Sequence, residues 1–167
     1  MGTDENFDGN VVARKVLESE ALLVASPSYL KAQGAPQQPE DLLAHDCLSL
    51  RMPHLQPRTW RLWQPSRPQE VKELDIQPKV LSNDTNSLLR AAIDGAGVMS
   101  VAVGLAAPHL AQGKLVRVLD PWITGRLAMY AAIPSRKFIP QRTRAFLDFL
   151  TDEARMRTAM ALKAPRA

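Results

Sequence analysis

The sequence predicts an α/β fold with mostly parallel strands, and three features of one stretch, Leu81 to Leu119, carry that prediction. The first is a capped amphipathic helix. Ser82, Asn83, Asp84 and Thr85 are all residues whose short side-chain oxygens can accept from the free N–H groups of a first helical turn, and Leu88, Leu89, Ala92 and Ile93 then form an apolar stripe of helical period with Arg90 and Asp94 off it. The second is a break followed by a buried strand. Gly95 and Gly97 end the helix, and the apolar run Val98-Met99-Ser100-Val101-Ala102-Val103 suits a strand covered on both faces. The third is a repeat of the same alternation. A helix from Leu105 to Gln112 is closed by Gly113, and Leu115 to Leu119 returns as a strand, so the unit reads αβαβ.

The other elements follow in chain order. Met1 to Asn10 is polar and turn-rich, and ordered structure is expected from Val11. Glu20 to Ala25 is a strand of buried type, and Ser26-Pro27-Ser28-Tyr29-Leu30 opens a short helix that ends near Gly34. Pro36 to Asp41 leads into a helix with Pro39 in its first turn and Leu42, Leu43 and Cys47 on its apolar side. Leu48 to Arg51 forms a strand, Met52 to Pro57 a proline-bounded loop, and Trp60 to Trp63 pairs across a Pro65–Pro68 turn with Glu70 to Leu74. Two Trp residues at this spacing fit edge packing better than a ligand cage. Asp75 to Leu81 leads into the central unit. Beyond it, Arg126 to Ile133 is a strand, and Pro140 opens a helix with Thr143, Phe146, Leu147 and Leu150 on one face and Arg142, Arg144, Asp148 and Asp152 on the other. The basic, Ala-rich tail from Met156 is expected to fray.

Composition narrows the function classes. With 167 residues, 46% of them hydrophobic, the chain can bury the core of one ordinary domain or two small lobes. No apolar run approaches the roughly 20 residues that span a bilayer, and no signal peptide is recognisable, so a cytoplasmic protein without membrane contact is expected. Cys47 stands alone in an apolar run, which fits a core thiol, and His45, His54 and His109 are scattered without metal-ligand spacing. No metal and no cofactor are expected. His45 has neither a nucleophile nor an orienting carboxylate in a recognisable pattern beside it, so it reads as structural. The net charge of +4 is dispersed among acidic residues, and no basic patch with interleaved aromatics marks a nucleic-acid interface in this chain. Gly95-Ala96-Gly97 follows a helix and precedes a strand, the reverse of a dinucleotide-binding turn, which argues against that class of enzyme.

Several motifs resemble one family, the effector-binding domain of LysR-type transcriptional regulators. The family pattern A-x-x-G-x-G-[IV] is met by Ala92, Gly95, Gly97 and Val98, and L-x-x-G-x-L-V by Leu110, Gly113, Leu115 and Val116. A-S-P-x-Y-L is met at all its positions by Ala25 to Leu30, and P-x-x-P-E/D-D-L…H-x-C-L by Pro36, Pro39, Glu40, Asp41, Leu42, His45, Cys47 and Leu48. Pro134-Ser135-Arg136 and the segment Pro140 to Leu150 match the family's closing strand and helix. One position departs: many members have Pro where Ala102 stands.

The resemblance implies a periplasmic-binding-protein-like type 2 fold, with two α/β lobes joined by crossing strands and a small molecule between them. By that comparison residues 21–128 form a complete second lobe, while residues 1–20 and 129–167 represent a partial first lobe, the DNA-binding head and the first part of the effector domain being absent. The implied function is effector sensing and oligomerisation, as dimer or tetramer, without catalysis, and with DNA reached only through the missing helix-turn-helix. A free solute-binding protein of the same fold is the alternative. The expected effector is a small molecule, with an anion as candidate, because helix N-termini present free N–H donors at a positive dipole end. Ser26 and Ser28 begin one helix and Ser82, Asp84 and Thr85 another; the resemblance adds Arg51 and Met52 after a strand, and Ser100 and Ala102 near a strand end. The bland reading of each Ser and Asp is a plain helix cap.

Overall fold

The computed structural model describes residues 12–53, 56–133 and 140–162. Strand β1 runs unbroken from Val12 to Ala25, so the ordered start at residue 12 and the buried run up to Ala25 are one element. Helix α1 (Pro27–Gln33) follows, capped by the Ser26 side chain, and a 3-10 turn covers Pro39–Ala44 in place of the expected helix. That turn buries Leu42 but leaves Leu43 58% exposed, while Cys47 belongs to the next strand, β2 (Cys47–Leu50). Strands β3 (Thr59–Gln64) and β4 (Arg67–Asp75) make the expected hairpin. Strand β5 (Pro78–Ser82) is an addition to the sequence reading, and it moves Ser82 out of the helix start. Helix α2 spans Thr85–Ile93 with Asp84 as its cap, β6 spans Val98–Ala102, α3 Val103–Ala111, β7 Val116–Val118, and β8 Gly125–Ile133. Helix α4 covers Gln141–Leu162, so the helix continues well past Met156. The expected features at residues 1–11 and at Pro134-Ser135-Arg136 lie outside the described residues.

One sheet organises these elements, in the order β5-β2-β6-β1-β7 with β8 also paired to β1. Strands β5, β2 and β6 are mutually parallel, whereas β1 is antiparallel to β6, β7 and β8. Only β1 therefore opposes the common direction, which is how a mostly parallel sheet also contains antiparallel ladders. Alternation of side chains along each strand splits the core in two. Leu22, Val24, Leu48, Met99 and Val101 face α2 and α3, where Leu88, Leu89, Ala92, Ala106 and Leu110 meet them. Leu23, Ala25, Cys47 and Val98 face the opposite layer, where Tyr29 of α1, Leu42, the hairpin residues Trp60, Leu62 and Leu74, and Ile76 complete a second core.

Gly97 shows how closely β6 is set against the segment leading into β2. Its φ is +155, a Cβ there would overlap the Asp46 carbonyl, and the same carbonyl accepts from the Val98 N–H at 2.8 Å. That bond starts the β2–β6 ladder, which then pairs Cys47 with Val98 and Leu48 with Met99.

Past the sheet, β1 and β8 continue as a two-stranded ribbon, pairing from Ala21 with Gly125 out to Val12 with Ile133. Leu147 of α4 packs with Val16 against this ribbon, together with Leu150 and Ala131. Phe146, expected on the same apolar face, is instead exposed, as are Phe149, Leu127, Met129 and Tyr130.

Candidate functional site

A groove of about 400 Å³ opens at the carboxyl ends of β2 and β6. Ligand sites in open α/β sheets lie outside those ends, and the volume is within the range for small-molecule pockets. The reason for a hollow here can be read along one face of the sheet. In the second core that face is filled by Leu23, Cys47 and Val98, but the next residues on the same side toward the groove are Ala21, Ser49 and Ser100. These side chains are too small to fill the layer. Leu50, Met52, Trp60, Leu105 and Leu127 form apolar walls, Thr85 and Thr124 add hydroxyls, and Gln56, Arg61 and Arg126 complete the polar lining.

The polar groups of the floor are engaged with one another. Ser49 Oγ donates to the Pro57 carbonyl at 2.6 Å and accepts from Trp60 Nε1 at 3.4 Å. Ser100 Oγ and Thr124 Oγ1 are 2.5 Å apart, and Thr124 Oγ1 donates to the Ala21 carbonyl at 3.3 Å. Arg61 and Arg126 each stand opposite a glutamate, Glu73 at 3.6 Å and Glu20 at 3.7 Å, and these exposed pairs leave both guanidiniums open to water.

The structure brings some of the sequence-predicted residues together and separates others. Met52, Thr85, Ser100 and Ala102 line the groove. Arg51 lies between two lining residues, exposed, with its N–H donating to the Ser82 carbonyl at 2.8 Å. Ser82 and Asp84 flank the groove without lining it. Asp84 accepts from the N–H groups of Asn86 and Ser87 and from Ser87 Oγ, bonds that hold its carboxyl below the usual carboxylate range. The donors expected to bind an anion at α2 are thus already taken by a carboxylate.

Ser26 and Ser28 lie at the opposite end of the sheet, beside the start of β6. Because β1 is antiparallel to β6, the end of β1 that leads into Ser26 sits beside the start of β6, with Val24 opposite Met99. Ser26 Oγ caps the Tyr29 N–H and contacts Ser28 Oγ at 2.9 Å, and both hydroxyls face the turn at Gly95. Tyr29 in turn accepts from the Asp46 N–H at 2.9 Å and bonds His45 Nδ1 at 3.0 Å. His45 is therefore part of a structural tie between α1 and the start of β2. Cys47 is fully buried, and burial pushes its thiol up to about 12.

Sequence reasoning missed Ala21, Ser49, Trp60 and Thr124. A signal existed for Ser49: like Ser100, it is the one polar residue in a run of otherwise apolar strand residues, Leu48-Ser49-Leu50. Among the described residues no group of His, Cys, Asp and Glu could hold a metal ion, and no helix is long and apolar enough to cross a membrane.

A protein-family model described as the LysR substrate binding domain matches residues 2–155. The chain belongs to that family. LysR substrate-binding domains have the periplasmic-binding-protein-like type 2 fold, which is the class expected from the motifs. An HTH-type transcriptional regulator of Xanthomonas campestris is 31% identical over 143 residues, covering 86% of this chain and 42% of the relative. The HTH-type transcriptional regulator PtxR of Pseudomonas aeruginosa is 31% identical over 145 residues, covering 87% of this chain and 45% of PtxR. The LysR-type chain thus spans less than half the length of these relatives. Among solved structures, the CrgA regulatory domain from Neisseria meningitidis superposes with a TM-score of 0.72 at 28% identity, over 89% of this chain and 72% of that one. The regulatory domain of AphB from Vibrio vulnificus gives a TM-score of 0.71 at 26% identity, over 86% and 69%.

Proposed function

We propose that this LysR substrate-binding domain senses a small-molecule effector in the groove at the ends of β2 and β6, as part of a cytoplasmic transcriptional regulator. The observation that carries this is the row Ala21, Ser49 and Ser100, which hollows one face of the sheet where ligands bind in such folds. Its contact residues are Met52, Thr85, Ser100 and Ala102, all candidates from the sequence, joined by Ser49, Trp60 and Thr124. The role is binding and not catalysis, in line with relatives that are transcriptional regulators. Those relatives are named HTH-type, which supports DNA contact through a helix-turn-helix segment of a longer protein. Residues 21–128 act as one lobe, and residues 1–20 and 129–167, including α4 and the outer part of the β1–β8 ribbon, as part of the other.

Self-association belongs to the same reading. Leu127, Met129 and Tyr130 of β8 and Phe146 and Phe149 of α4 are all about half exposed or more, and exposed large apolar side chains favour association.

A thermal-shift screen of small metabolites, run in parallel on the unaltered chain and on Ala102→Trp, tests the site. Ligands that raise the midpoint of the unaltered chain should lose that effect when the indole fills the groove. Hits that stabilise both proteins equally would place the ligand elsewhere.

A further inference from the structure

We infer that the floor of the groove is arranged to accept a hydrogen bond, so that its ligand is a compact, largely apolar molecule carrying a hydroxyl or N–H donor at its buried end. The inference rests on the groove being the ligand site and names the class of ligand it takes.

The roles at Ser49 are forced by its partners. A carbonyl oxygen only accepts and an indole N–H only donates, so the Ser49 proton is committed to Pro57, the Trp60 N–H points at Ser49 Oγ, and nothing remains but a lone pair. At Ser100 the direction follows from the end of a short relay. Thr124 Oγ1 reaches the Ala21 carbonyl, which cannot donate, so Thr124 gives its proton there and Ser100 gives its own to Thr124. Both hydroxyl protons are then used inside the protein, and half-buried Ser100 turns only lone pairs toward the groove. Reversing the relay so that Ser100 donated outward would release the Thr124–Ala21 bond.

Ser49 and Ser100 also lie on adjacent strands. Strands β2 and β6 pair in parallel through Cys47–Val98 and Leu48–Met99, and the next residue of each, Ser49 and Ser100, lines the groove. A carboxylate or carbonyl pushed onto this pair would oppose lone pair to lone pair, whereas a donor finds acceptors already oriented. The walls at Leu50, Trp60 and Leu105 favour an apolar body. Arg61 and Arg126 are the cations of the lining, so an acidic end, in a ligand that has one, would turn to them and away from the floor.

The test titrates the isotopically labelled chain by amide NMR with three ring probes of similar size: phenol, which donates; benzonitrile, which only accepts; and toluene, which does neither. Phenol should bind several-fold tighter than benzonitrile, the scale set by one net hydrogen bond, with the largest shifts at Ser49, Ser100 and Thr124. Ser100→Ala should lower the phenol-to-benzonitrile ratio, leaving only the preference that the Ser49 lone pair supplies. Thr124→Val removes the acceptor of the Ser100 proton, leaves Ser100 free to donate, and should move the ratio toward benzonitrile. Benzonitrile binding as tightly as phenol to the unaltered chain would overturn the inference while leaving the groove as a ligand site. If no probe shifts groove amides up to its solubility limit, the ligand-site reading falls, and the inference with it.

Discussion

Replacing Gly97 by Ala should be among the most damaging single-methyl changes in the protein. At φ +155 an L residue is strained, and the added Cβ would overlap the Asp46 carbonyl and crowd its Cβ at 3.1 Å. Unfavourable backbone conformations of this kind cost about 1–3 kcal/mol, and overpacking against a fixed neighbour adds about 1–3 kcal/mol. The neighbour cannot move freely, because the Asp46 carbonyl holds the Val98 N–H at 2.8 Å and so begins the β2–β6 ladder. A loss of about 3–5 kcal/mol is expected, a large share of the roughly 5–15 kcal/mol that stabilises a domain. Gly113→Ala is the matched control. Gly113 also has a left-handed φ, +66, but no atom lies within 4 Å of where its Cβ would be, so it should cost only the conformational term of about 1–2 kcal/mol. Urea unfolding followed by circular dichroism measures both. Equal destabilisation by the two changes would mean that β6 does not begin against Asp46, and the adjacency of Ser49 and Ser100 would lose its basis.

Further expectations concern single groups. Cys47, fully buried with its thiol pushed up to about 12, should resist thiol reagents at pH 8 in the native chain and react at once in denaturant; rapid labelling of the native chain would contradict the second core. The same burial makes Cys47 linkage stabilising below the unfolded thiol pKa of about 9, a contribution lost as pH rises from there toward 12. Asp84→Ala should lower the thermal midpoint at neutral pH. Because the folded carboxyl titrates below its unfolded value, its contribution is present above the unfolded pKa and vanishes as pH falls through the folded one, so mutant and parent should converge in strong acid. Phe146→Asp should weaken self-association that light scattering detects at every salt concentration; a parent chain that is monomeric at all of them would show that the exposed apolar residues of β8 and α4 have no partner.

The elements visible in the sequence are those that local chemistry determines. Helix α2 was legible from its cap residues and the period of Leu88, Leu89 and Ala92, all three of which are buried. Strand β6 was legible from its apolar run behind two glycines. Strand β5 was not, because it edges the sheet and its regular alternation of half-buried and exposed residues is not mirrored in the sequence: Lys79 and apolar Leu81 share the exposed side. The 3-10 turn at Pro39 also escaped: its apolar residues fit a helical face, yet Cys47 is drawn into the β2 ladder.

The site divides along the same line. Ser100 and Ala102 could be placed at a strand end from sequence, but which helix starts share that end depends on strand direction. Strand β1 pairs with β6 across more than 70 residues of chain, antiparallel, from Ala21 opposite Ala102 to Val24 opposite Met99. No local pattern specifies that choice, and it carries Ser26 and Ser28 to the far end of the strands. Ser49 and Thr124 joined the site only through the parallel pairing of β2 with β6 and the bond between Thr124 and Ser100.

The most direct measurement is amide chemical-shift mapping of the labelled chain with any ligand that raises its thermal midpoint. Binding in the groove predicts shifts concentrated at Ser49–Leu50, Thr85, Ser100–Ala102 and Thr124–Leu127, with α1 silent. Shifts centred instead on Ser26, Ser28 and the Gly95 turn would place the effector at the opposite end of the sheet and contradict the assignment of the groove.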